Sequence, residues 1–193
     1  MRATTVSQLS RVHNLGSYRN ACRVVSQLGP YTHQQRQQEK IIYLNKEGRG
    51  LIGSDREVKF SPIIQHTLLA NEAYIYFECP IDWKSEVVLE IEEKTKGLTF
   101  NLGNTAIKPK KIQLIADAVF TRNGYVHFIE IDNTRHMQDN IKKLKSYAEM
   151  WPELKKKYQM QPKLYFFTTT QDRKKKLGTA AKWIEVFTFN EIK

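Results

Sequence analysis

The sequence predicts a mixed α/β protein in two domains, a small basic helical domain followed by an α/β domain. Three observations lead there. Up to residue 59 the chain holds ten basic and four acidic residues, a net +6, and its apolar positions recur at helical spacing. Two extended apolar runs, 110–121 and 125–132, flank Arg122-Asn123-Gly124, a hairpin signal. A lysine-rich helical run follows, and after it strand, helix and strand signals over 162–189 extend the same sheet. The domain boundary is expected between residues 58 and 59.

The first element is a helix carrying Val6, Leu9 and Val12 on one face, closed by the turn Leu15-Gly16. Ser17 is positioned as the N-cap of a second helix with the stripe Ala21, Val24, Val25 and Leu28. Tyr18, Arg19, Asn20, Arg23 and Gln27 fall on its exposed side. Two short helices about a tight turn form the layout of a helix-turn-helix, with the second helix aimed at DNA. Residues 30–40 are polar, 41–45 read as a strand and 46–50 as a turn. Tyr18, Arg19, Asn20 and Arg23 are the expected DNA contacts of the helix. Arg36 and Lys40 are the expected phosphate contacts beside it. The spacing of Tyr43, Leu44, Asn45, Gly48 and Leu51 resembles the wing of many bacterial winged-helix domains.

The middle of the chain opens with Pro62 in a first helical turn. Ile63, Leu68, Ala70 and Tyr74 are the expected buried side, and His66 reads as a packing residue. Residues 83–95, with Glu86, Glu90, Glu92 and Glu93, are compatible with strand or helix.

The chemistry is concentrated in the hairpin. Asp117 interrupts an apolar strand, and Glu130 and Asp132 share one face of the return strand. Three carboxylates at one spot repel, so the arrangement is costly without a cation. Mg²⁺ or Mn²⁺ would supply it, because hard cations take oxygen ligands. The helix behind carries Ile141, Leu144 and Ala148 as its packing stripe and Lys142, Lys143 and Lys145 as its charge. Lys142 or Lys143 could lean over the carboxylates and stabilise a developing phosphorane. Tyr147 could attack a phosphate, although packing is its ordinary role. The alternative is a salt-bridge network of Glu130 and Asp132 with Arg135 and the helix lysines. Arg173 to Lys176 reads as a solvated run that could also track phosphates.

A strand with Asp, a hairpin, a strand with Glu and a following helix resemble the core of the PD-(D/E)XK nucleases, over residues 61–193. The usual lysine two residues after the Glu is replaced by Asp132. Nearly the whole chain resembles the replication-relaxation family, through His66, Leu68 and Asn71, then Asp117 to Phe120, Glu130 to Thr134, and Lys143, Leu144 and Tyr147. That resemblance implies a winged helix followed by a restriction-endonuclease-like α/β domain. It implies a plasmid- or mobile-element-borne protein acting in replication and DNA relaxation. Asp117, Glu130, Asp132 and Lys143 would then take the catalytic positions, the three carboxylates as metal ligands.

Lys and Arg number 31 against 20 Asp and Glu, a net charge of +11. That excess points to a polyanion partner, most often nucleic acid, and with the winged-helix layout the expected partner is double-stranded DNA. The two cysteines make neither a metal-ligand pair nor a disulfide framework, and a reducing cytosol fits them. No run is apolar enough for a membrane span. Two functional readings follow. One is a metal-dependent nicking enzyme. The other is a regulator or replication initiator whose nuclease-like domain serves as a homodimer interface or docking surface.

Overall fold

The computed structural model describes residues 2–55, 57–58, 61, 63–92, 111–133 and 135–192. Pro62, Glu93 and Thr134 lie outside the described residues, as do the side chains of Ile63 and Glu92. The fold is mixed α/β. The chain divides into two compact units, Met1–Ile81 with Thr188–Lys193, and Asp82–Phe187.

The first unit runs β1 (Ala3–Thr5), α1 (Val6–Val12), α2 (Tyr18–Gln27), a 3-10 turn (Gly29–Tyr31), β2 (Thr32–Arg36), β3 (Lys40–Leu44), α3 (Lys46–Leu51) and α4 (Ile63–Tyr76). Thr5 and Gln8 form a capping box on α1, and the Ser17 hydroxyl accepts from the Asn20 amide to cap α2. The sheet is antiparallel with order β1-β3-β2, so β2 is an edge strand. Alternation along β3 divides the core in two. Ile41 packs with Ala3, Ile64 and Leu68, while Ile42 packs with Val6, Ala21 and Val25.

Three local expectations change here. Residues 32–36, read only as polar, are β2. Residues 46–50 are helix α3 rather than a turn, because the Asn45 side chain accepts from the Gly48 amide and caps it. The buried side of α4 is Ile64, Leu68, Asn71, Glu72 and Ala73, and Ala70 and Tyr74 are half-buried. The polar members are buried because they are bonded. Asn71 donates to the Ala3 carbonyl at 2.7 Å, and Glu72 accepts from Gln8 at 2.7 Å and Arg11 at 2.6 Å. These bonds tie α4 to β1 and α1 within the compact unit that runs to Ile81.

The second unit runs β4 (Lys84–Glu92), β5 (Lys111–Arg122), β6 (Tyr125–Asp132), α5 (Met137–Tyr158), β7 (Gln161–Thr168), α6 (Gln171–Ala180) and β8 (Glu185–Thr188). Residues 84–92, compatible with either state in sequence, are a strand. The sheet order is β4-β5-β6-β7-β8. Asn123 and Gly124, both at positive φ, make the two-residue turn of the β5–β6 hairpin. β6 and β7 are parallel, and α5 is their crossover.

Leu144, Tyr147, Met150 and Leu154 of α5 pack on Val119, Val126, Phe128, Leu164 and Phe166, with Leu177 of α6. The expected stripe was different: Ile141 is half-buried and Ala148 exposed. Turning the helix buries the larger Tyr147, whose hydroxyl finds a partner in the sheet. Away from this core, rings of Trp83, Phe120, His127, Tyr165 and Phe187 stack in sequence from one strand to the next.

Candidate functional site

The site begins where β5 and β6 part. Their ladder runs from Arg122–Tyr125 to Ala118–Ile129. The next residues are Asp117 on β5 and Glu130 on β6. Core packing changes parity at the same place: Ile112, Leu114 and Ala116 contribute before Asp117, and Val119 after it. The Asp117 carboxylate accepts from the Ile131 amide at 2.7 Å. A side-chain oxygen thus does what a strand carbonyl does elsewhere in the ladder.

Glu130 is buried, and both of its oxygens are engaged. The Lys143 ammonium pairs with Oε2, and the Tyr147 hydroxyl donates to Oε1 at 2.7 Å. Lys143 and Tyr147 are four residues apart on α5, so one helix face presents both donors to one carboxylate. Burial, and then the neighbouring charge of Asp117, push the Glu130 carboxyl up to about 8 against the pull of Lys143 and Tyr147. Burial and the Glu130 carboxylate raise the Tyr147 phenol well above its ordinary value. It stays a protonated hydrogen-bond donor and is a poor nucleophile.

Asp132 lies in a second, separate network. Its Oδ1 accepts from Asn140 at 2.7 Å, and its Oδ2 accepts from Thr168 at 2.8 Å and from Arg173 Nε at 2.7 Å. A second Arg173 nitrogen bonds Oδ1, and the same guanidinium donates to the Arg135 carbonyl. Burial alone would raise the Asp132 carboxyl. The hydrogen bonds from Arg173, Asn140 and Thr168, with the Arg173 charge, hold it below its ordinary value.

Asp117, Glu130 and Lys143 therefore come together, and Asp132 does not join them. Among the described residues no group of three or more His, Cys, Asp or Glu side chains is arranged to hold a metal ion. Of the three carboxylates expected to meet at Mg²⁺ or Mn²⁺, Asp117 and Glu130 are neighbours and Asp132 is held in its own network. The Lys143 ammonium supplies positive charge to Glu130. Lys142 points elsewhere, 3.4 Å from Asp139 at the surface. Arg173, in a run that reads as solvated, is the Asp132 partner that sequence reasoning missed, along with Asn140 and Thr168. A buried aspartate needs such a partner, but nothing in the sequence says which cation reaches it. Beside Lys143 a cleft of about 490 Å³ opens, lined by Gln113, Leu114, Arg135, Lys142 and Ser146.

In the first unit, Tyr18, Arg19 and Arg23 are exposed on α2, as expected for DNA contacts. Asn20 is not available in the same way. Its Nδ2 donates to the Leu15 carbonyl at 2.9 Å and its Oδ1 accepts from Arg23 at 3.0 Å. Arg36 and Lys40 stand opposite one another at the turn end of the β2–β3 hairpin. Arg36 and Glu39 lie within electrostatic reach of the Tyr18 hydroxyl, so α2 and the hairpin end share one surface.

Fold and site together define a mixed α/β protein whose second unit centres on a buried carboxylate–lysine cluster. Replication-relaxation is the description of the family whose sequence profile matches residues 1–164, and the chain belongs to that family. Comparison with curated proteins gives no match. Among solved structures, the crystal structure of protein VC1899 from Vibrio cholerae is similar at 14% identity with a TM-score of 0.39. The likeness covers 91% of this chain and 40% of that protein.

Proposed function

We propose that this chain binds duplex DNA in the replication or relaxation of a plasmid or other mobile element, and that it holds the DNA without cutting it. Family membership supports the replication role. The first unit has the strand, two-helix and hairpin order of a winged helix, with cations on α2 and at the hairpin end. The single observation carrying the non-cutting reading is internal neutralisation. Both Glu130 oxygens are engaged by Lys143 and Tyr147, and Asp132 is held by Arg173, Asn140 and Thr168.

A second reading is metal-dependent nicking. It is favoured by Asp117 and Glu130 standing just beyond the last β5–β6 ladder pair, with Lys143 paired to Glu130, as in a PD-(D/E)XK core. Supercoiled plasmid incubated with the protein, with Mg²⁺, with Mn²⁺ and with chelator, separates the two. We expect retarded but still supercoiled plasmid in every condition. Open-circular product that needs the metal and disappears in Glu130→Gln would establish nicking instead. Absence of retardation at low salt would remove the DNA-binding reading altogether.

A further inference from the structure

We infer that Gln34, on the edge strand β2, is the side chain through which the first unit reads DNA sequence. The inference rests on the duplex-binding reading above. Side-chain amides read bases because they donate and accept at once, and Asn or Gln pairs bidentately with adenine in the major groove. Asn20 is the obvious amide of α2, but both ends of it are bonded within the protein. The other exposed amide of α2, Gln27, ends the helix, where the partial negative charge of the carbonyls disfavours approach to phosphates.

The hairpin offers a different amide. Opposed residues share a face of the sheet, and Gln34 is opposite Ile42. Ile42 packs against Ala21 and Val25 of α2, so Gln34 stands on the α2 side. Arg36 and Lys40, opposite one another, lie on that same face two residues along. Gln34 is exposed, and no hydrogen bond among the described residues engages its amide. Gln35, opposite Ile41, lies on the other face, and the Gln37 amide oxygen already accepts from Gln65 at 3.0 Å, which takes away half of a bidentate pairing. The one acid at this end, Glu39, is turned back to accept from the Ser7 amide at 2.7 Å. The result is a free amide with a pair of cations next to it on the same face, the arrangement of a base reader held in register by phosphate contacts.

Selection from a pool of duplexes with a randomised centre tests this, using the full chain, Gln34→Ala and Arg36→Ala at one salt concentration. The wild type is expected to enrich a consensus. Gln34→Ala should lose the preference at one or two positions and bind the wild-type consensus roughly 10-fold more weakly. Its affinity for the unselected pool and its thermal midpoint should stay at wild-type values. Arg36→Ala should weaken selected and unselected duplexes alike and lower the salt slope by about 1. The assignment fails if Gln34→Ala enriches the wild-type consensus unchanged, or if the wild type enriches nothing from a pool it binds. A wild type that binds no duplex in the pool would remove the duplex-binding reading and this assignment with it.

Discussion

Glu130 sits between opposed influences, and its titration reports which prevails. In the unfolded chain its carboxyl has an ordinary value near 4.5, and in the fold it rises to about 8. The folded state therefore holds the proton more tightly. The resulting stability is complete below the ordinary value and is lost as pH rises through about 8. Glu130→Gln removes this titration while keeping the shape of the side chain. Its thermal midpoint relative to wild type should climb between pH 5.5 and 8.5, by an amount reflecting a free-energy change on the order of a few kcal/mol. A difference that stays flat over that range would mean Lys143 alone keeps Glu130 ionised. Asp132 behaves in the opposite sense. Its depressed value gives stability that is present near neutrality and lost only as the solution becomes strongly acidic.

At the level of single elements, α3 shows how one residue type admits a helix. Asn45 caps it by accepting from the Gly48 amide at 2.8 Å and ties it to the 3-10 turn by donating to the Pro30 carbonyl at 2.9 Å. Gly48 then passes so near the preceding 3-10 turn that a Cβ would lie 2.2 Å from the Tyr31 carbonyl oxygen. That atom belongs to the main chain and cannot swing aside. Gly48→Ala should destabilise the protein by about 2 kcal/mol or more, through displacement of α3 from the hairpin base. Urea midpoints would show it, and a variant within about 0.5 kcal/mol of wild type would mean the turn moves freely. In sequence the same residues read as a turn because two glycines and a cap residue signal both outcomes.

For the whole molecule the dominant quantity is the net charge of +11. A protein neutralising six to ten phosphates loses roughly 10³ to 10⁵ in affinity between about 50 and 200 mM salt. Duplex binding followed by fluorescence anisotropy should show a steep fall of that kind. A nearly flat salt dependence would mean the excess cations act elsewhere than at the phosphate backbone. Among the described residues no helix is long and apolar enough to cross a membrane.

The sequence by itself determined the mixed α/β class, the Ser17 cap of α2 and the Asn-Gly hairpin, and it left Lys142 and Lys143 equal as neighbours of the carboxylates. Cap and hairpin depend on local spacing, as does the shared strand face of Glu130 and Asp132 that period two sets. Only the tertiary structure decided that these two carboxylates part company. Their shared strand face says which way both point, but the cation that reaches each comes from a different element: Lys143 on α5 for Glu130, Arg173 on α6 for Asp132. The burial of Asn71 and Glu72 was hidden for the same reason, because their partners on β1 and α1 lie more than sixty residues away. Periodicity assigns a polar residue to water unless a partner is known, and the packing of distant segments brings that partner.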